Sequence, residues 1–96
     1  MKQYYVYIMT NHTGTVLYTG VTNDLARRLH EHKTGTSDIS FAKRYKLYKL
    51  IWFEAFDSIT DAIENEKRIK GWKRERKIGL IKKSNPKMLD LYSNQN

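Results

Sequence analysis

Three strand-like runs and three helical stretches, in the order β-β-α-β-α-α, predict a small α/β (α+β) domain. Three observations carry that expectation. Two aromatic and β-branched runs flank a turn-rich stretch near the N-terminus. Apolar residues recur at helical spacing in two later segments. The length of 96 residues leaves room for one domain only. That domain is expected over residues 1–92, with a frayed end at 93–96.

Tyr4 to Met9 is the first strand, Asn11-His12-Thr13-Gly14 supplies turn chemistry, and Val16 to Thr19 is the second strand, so the pair reads as a β-hairpin ended by Gly20. Thr22 or Asn23 is placed to cap the first helix, with Asp24 in its first turn, and the helix runs to about Lys33 before Gly35 stops it. A polar loop follows from Thr36 to Lys46. Leu47 to Phe56 is the third strand. Ser58 and Asp61 form a capping box for a helix over Ile59–Lys70, broken near Gly71. The third helix spans Lys73–Lys82 and ends at Asn85-Pro86, after which Met88, Leu89, Leu91 and Tyr92 are available to pack back.

Composition excludes several classes. With no Cys there is no disulfide framework and no thiolate metal site. An aromatic share of 12% is too rich for a disordered chain. No apolar run approaches the roughly 20 residues of a membrane span, and the start does not resemble a signal peptide, so a soluble cytoplasmic domain with no membrane partner is expected. The net charge of +8 is unevenly spread: Lys67 to Lys87 hold ten basic residues and one acidic residue, while the remainder has eight basic and nine acidic. A segment of net +9 containing Trp72 reads as a footprint for nucleic-acid phosphates, DNA before RNA, with Lys70, Lys73, Arg74 and Lys77 as its contacts and Lys43 and Arg44 beside them in the loop. The plainer alternative is a solvated basic face.

Helical facing isolates three polar residues. At about 100° per residue, Leu25 and Leu29 define the inward stripe of the first helix, and Arg28 and His32 fall on it while Arg27, His30 and Glu31 do not. In the second helix Ile59, Ala62, Ile63 and Ile69 mark the stripe, with Glu66 in its middle and Lys70 one turn on. Such groups need partners. A buried Arg28–Glu66 ion pair that only fixes packing would satisfy them, and on periodicity alone that reading and a functional one are even. Tyr5 and Tyr7 share a strand face, and Tyr18 lies on the paired strand. Phenol, guanidinium, imidazole and carboxylate together suit phosphodiester hydrolysis: the carboxylate for a hydrated Mg²⁺, the guanidinium for phosphate oxygens, the phenol or imidazole for the proton of water.

These residues also carry a resemblance. Tyr5-Val6-Tyr7, Tyr18-Thr19-Gly20, the stretch Gly20 to His32, Glu66 to Trp72 and Asn85-Pro86 together resemble the GIY-YIG nuclease domain, most closely its small stand-alone bacterial members, over about Lys2 to Leu91. The resemblance implies a three-stranded antiparallel sheet flanked by helices and cleavage of DNA phosphodiester bonds with Mg²⁺ or Mn²⁺, in repair or recombination. It implies roles as well. Tyr18 is the proposed general base, Tyr7 positions the site, and Arg28 contacts the scissile phosphate. His32 stands where relatives carry His or Tyr, Glu66 is the protein's metal ligand, and Asn85 matches a late supporting asparagine. Tyr5 replaces the first Gly of the signature, and Val21 stands where some relatives carry a Lys that assists the base, which leaves Tyr18 and His32 as candidates for that role. A module of the same fold that binds nucleic acid without cutting it is the alternative.

Overall fold

The computed structural model describes residues 3–34 and 44–92. Its elements are β1 (Tyr4–Thr10), β2 (Leu17–Thr22), α1 (Leu25–Thr34), β3 (Lys49–Phe56), α2 (Ile59–Lys70) and α3 (Arg74–Ser84), in the expected order. The expected Gly35 stop, the loop from Thr36 to Lys43 and the end after Tyr92 lie outside the described residues.

The sheet has the order β2-β1-β3, with both pairings antiparallel. Helices cover β1 on both sides, which is why five successive residues, Val6 to Thr10, are all buried. Strand alternation sends Val6 and Ile8 to one face, where they pack with Ala62 and Ile69 of α2 and Ile81 of α3. Tyr7 and Met9 go to the other face, against Leu29 of α1, Leu47 and Leu50. A bulge sits between Ile8 and Met9, whose β3 partners are Trp52 and Leu50, so Ile51 is extra. The bulge lets two consecutive residues, Ile51 and Trp52, serve the same core.

Several boundaries differ from the sequence reading, each for a local reason. Gly20 does not end β2. It pairs with Tyr7, and the strand continues through Val21 to Thr22. The cap of α1 is Asp24, whose Oδ1 accepts from the Arg27 amide, while Thr22 Oγ1 accepts from the Asp24 amide and so sets the turn before it. Lys46 has φ 54°, a left-handed turn that delays β3 to Lys49. The third helix starts at Arg74, with Lys73 as its cap, and runs two residues past Lys82. Ile59 stands at the mouth of α2 and is 50% exposed, and Leu89 is likewise exposed. The α2 bounds and its Ser58 cap, which accepts from the Asp61 amide, agree with the sequence.

Helix α1 has few apolar anchors, since only Leu29 and His32 are buried along it. A polar clamp supplements them. Lys33 Nζ donates to Asp90 Oδ2 at 2.8 Å and to the Tyr48 carbonyl, while Asp90 Oδ1 accepts the amides of Leu50 and Tyr92. This one carboxylate ties α1, β3 and the C-terminal segment together. Burial opposes its charge, but the hydrogen bonds from Lys33, Leu50 and Tyr92 outweigh burial and hold its pKa below the ordinary value of 3.8. Asp90→Asn is expected to cost about 1.5–3 kcal/mol at neutral pH, toward the lower end because Lys33 is partly solvated. A folded pKa below the unfolded one means the wild-type advantage is complete above the ordinary value and is lost as pH falls through the folded value. Denaturant melts of both proteins at neutral and acid pH check this. A constant difference across that range would contradict it.

Candidate active site

Three aromatic rings meet on the α1 side of the sheet. Tyr7 comes from β1, Tyr18 from β2 and His32 from α1. Their centroids are 6.2 Å (Tyr7–Tyr18), 6.4 Å (Tyr7–His32) and 6.3 Å (Tyr18–His32) apart, close to an equilateral triangle. Such spacings lie within the range of favourable ring contacts.

The triangle depends on Gly20. A methyl group there would stand 2.6 Å from both Cζ and Oη of Tyr7 and 3.0 Å from a Tyr18 ring carbon. The Tyr7 phenol therefore lies across bare backbone of the neighbouring strand, in space that only glycine leaves open. Here the glycine is required by close approach rather than by an unusual φ.

The electrostatics follow from burial. Tyr7 is 1% exposed. Burial, then the charge of Tyr18 and the hydrogen bond with it, push its phenol well above the usual tyrosine range; the Glu66 charge adds to the rise and Arg28 opposes it. Both charged side chains are thus near enough to bias the Tyr7 hydroxyl from opposite directions. Tyr7 stays protonated and serves as a hydrogen-bond donor, not as a base. His32 is held below its ordinary value first by burial and then by the Arg28 charge, with Glu31 opposing. It is a neutral imidazole at physiological pH, and neither of its buried ring nitrogens has a partner among the described residues. Arg28 Nε is likewise buried without a hydrogen bond among the described residues. Unpaired buried polar atoms are costly and mark places where a ligand or water completes the bonding.

Arg28 and Glu66 do not form an ion pair. Arg28 is half-buried, has among the described residues only a long 3.9 Å approach to Glu31, and lines a cleft of about 230 Å³ with Tyr4, Thr22, Ile59 and Ile63. Glu66 is buried and takes the Lys70 ammonium at 2.7 Å. Lys70, expected as a nucleic-acid contact, is half-exposed and serves here as the counter-ion of Glu66. Among the described residues no group of three His, Cys, Asp or Glu could hold a metal. A metal here would rely on Glu66 for its one protein ligand. A hard, buried carboxylate that already takes a cation fits a hydrated Mg²⁺ or Mn²⁺.

The remaining expected residues fall elsewhere. Asn85 caps α3, where Nδ2 donates to the carbonyls of Ile51 and Leu89 and Oδ1 accepts the Leu89 amide. Those bonds hold the C-terminal turn on β3, so its place is in the frame. Arg74 is pinned to the Gly14 and Thr15 carbonyls. Arg44 lies over the Tyr45 ring at 5.5 Å. Lys73 is exposed, Lys77 is half-buried, and Lys43 lies outside the described residues. The sequence marks Gly20 as a strand terminator and as the last residue of the Tyr18-Thr19-Gly20 signature half; its pairing opposite Tyr7 is the signal that reveals its role as the floor under that ring.

The space at Gly20 sets a contrast with Gly79, where an added methyl meets nothing within 4 Å. Gly20→Ala is expected to destabilise by about 1–3 kcal/mol through overpacking and to displace the Tyr7 ring. Gly79→Ala, inside α3, is expected to stabilise by about 0.5–1 kcal/mol. Thermal melts of both variants, with the Tyr7 ring resonances as a local probe, check the pair. Equal effects would contradict the close approach.

Comparison with known proteins gives a consistent picture. The model of the GIY-YIG catalytic domain matches residues 3–79. A UPF0213 protein of Syntrophus aciditrophicus is 35% identical over 92% of this chain and 100% of its own length. A UPF0213 protein of Staphylococcus saprophyticus is 32% identical over 84% of this chain and 96% of its own. The solution NMR structure of the UPF0213 protein BH0048 from Bacillus halodurans superposes with a TM-score of 0.55 at 27% identity, covering 88% of each chain.

Proposed function

The chain belongs to the GIY-YIG catalytic domain family, a family of nucleases, and from that premise we propose that it is a divalent-metal-dependent endonuclease hydrolysing DNA phosphodiester bonds. One observation carries the reading: three rings from three elements close on a glycine floor, with the charges of Arg28 and Glu66 near enough to act on the central phenol in opposite senses. A packing core gains nothing from a neutral imidazole with two orphaned nitrogens, whereas a hydrolytic site needs an acceptor of that kind.

The roles follow from position. Tyr18 is half-buried and is the ring of the three that reaches the solvent boundary. Tyr18, once its own phenolic proton has gone to solvent, or the neutral His32, whose ring nitrogens have no partner among the described residues, takes a proton from the attacking water. The resulting hydroxide forms the new P–O bond as the bond to the leaving oxygen breaks, and that oxygen leaves with a proton from solvent. Arg28 offers its guanidinium to the phosphate oxygens, since its Nε is unpaired. Tyr7, held protonated, donates a hydrogen bond and fixes the Tyr18 ring. A divalent ion, Mg²⁺ or Mn²⁺, when held at Glu66 with water, would supply charge stabilisation on the phosphate. Of the basic surface, Lys73 and Lys77 are free to meet backbone phosphates. A place in DNA repair or recombination is compatible with this chemistry.

The Glu66–Lys70 pair favours a second reading, a module that binds nucleic acid without cutting it, because the carboxylate already has a counter-ion. Lys70 is half-exposed, so it can leave Glu66 for water at little cost. Glu66→Gln separates the two. Under the nuclease reading, cleavage of a labelled DNA panel in Mg²⁺ or Mn²⁺ disappears, DNA binding in EDTA persists, and the melting temperature stays near wild type, since no buried cation is stranded. Retention of wild-type cleavage, or absence of metal-dependent cleavage in the wild type itself, would leave the binding module.

A further inference from the structure

A second concave site lies beside the β1–β2 turn, on the side of the sheet that α3 covers. It encloses about 430 Å³ between the β1–β2 turn, the start of β3, α3 and the C-terminal segment. His12, Lys49, Arg74, Lys82 and Lys87 line it, and no carboxylate does. Arg74, Ile78 and Lys82 follow one another at i, i+4 and i+8, so a single stripe of α3 faces the cleft. Ile78 and Met88 give it an apolar floor that belongs to the Val6–Ile8 core, behind the strand that carries Tyr7.

The cleft is built for an anion in two respects. Its four Lys and Arg side chains make no ion pair among the described residues. Like charges gathered without counter-ions repel and are tolerated where an anion completes them. Arg74 is also preorganised, because its two terminal nitrogens donate to the Gly14 and Thr15 carbonyls of a turn shaped by Gly14 at φ 74°. The guanidinium is thus fixed at the rim before any ligand arrives, which lowers the ordering cost of binding.

We propose that this cleft is a second phosphate-binding site for a nucleic-acid strand, remote from the hydrolytic cluster, which holds the strand while the Tyr18 face acts on it. The proposal rests on the nucleic-acid reading of that face. The rings of Tyr7, Tyr18 and His32 lie on the Tyr7–Met9 face, whereas the cleft lies on the side covered by α2 and α3, where Glu66 also sits, so a strand that engages rings and cleft together follows a bent path that a flexible single strand takes more readily than a duplex.

The test uses the whole chain in EDTA, so that binding is read without cleavage. Isotope-labelled protein is titrated with an oligothymidylate of about 20 nucleotides, and amide shifts are followed at Gly14, Ile78 and Met88 for the cleft and at Gly20, Arg28 and His32 for the hydrolytic face. Both sets are expected to move. In Lys82→Gln/Lys87→Gln the cleft set stays still, the other set still moves, and the salt slope of binding falls by about 1.4, two contacts at about 0.7 each on a single strand. A charge-matched pair outside the cleft, Lys67→Gln/Lys83→Gln, lowers the slope by distinctly less. Equal losses from the two pairs would reduce the cleft to net charge and overturn the proposal. Movement at the hydrolytic face alone would overturn the cleft and leave the nuclease reading intact; movement at neither would overturn both. Inorganic phosphate is titrated in parallel, and if it moves the cleft amides at the same phosphate concentration as the oligonucleotide, the site is one for small anions and the strand proposal fails.

Discussion

The Tyr7 phenol lies across Gly20, and the rest of the site depends on that contact. β1 is the central strand, buried on both faces, so Tyr7 has no route to water and must find room within the sheet. Gly20 in β2 supplies that room. With the Tyr7 ring laid down there, Tyr18 two residues earlier in β2 and His32 one turn beyond Arg28 in α1 are brought to similar distances around it. A larger residue at position 20 would push the phenol toward α1 and open the triangle.

This arrangement is expensive for so small a domain. Among the described residues Arg28 Nε and both nitrogens of His32 are buried without partners, and Thr19 Oγ1 is as well. Each such group costs on the order of 1–3 kcal/mol relative to a satisfied one. The helix that carries two of them buries little apolar surface of its own. The Lys33–Asp90 clamp and the apolar contacts of Leu91 and Tyr92 hold it in place from the C-terminal segment. Stability is thus imported to the site from residues that take no part in its chemistry, a common pattern where function demands unsatisfied groups.

Much of this was legible in the sequence because it follows from periodicity. Helical facing separates Arg28 and His32 from Arg27 and His30, and it puts Glu66 among the apolar residues of α2, as the burial shows. Strand alternation separates Tyr7 from Tyr4. What periodicity lacks is tertiary distance. It allowed an Arg28–Glu66 pair, yet Glu66 chose Lys70 four residues on, where the helix itself fixes the spacing. Asp90 is one acidic residue among the apolar ones of the C-terminal segment, and nothing local in the sequence shows that its oxygens reach β3 and α1. The charge count found the basic segment but not its geometry: Lys70 and Arg74 are engaged within the protein, while His12 and Lys49, outside that segment, join Lys82 and Lys87 across the turn. Ile59 sits on the apolar stripe by spacing, but as the first residue of α2 it is half in water.

The central claim is that Glu66 is the point where a divalent cation meets the ring cluster. Paramagnetic broadening by Mn²⁺ in isotope-labelled protein tests it without requiring cleavage. At low Mn²⁺ occupancy the broadening is expected to centre on Glu66, to reach Tyr7, Gly20 and Arg28, and to disappear in Glu66→Gln. Broadening centred on Asp57 and Asp61 at the start of α2, or broadening that persists in Glu66→Gln, would contradict the assignment of Glu66 as the metal ligand.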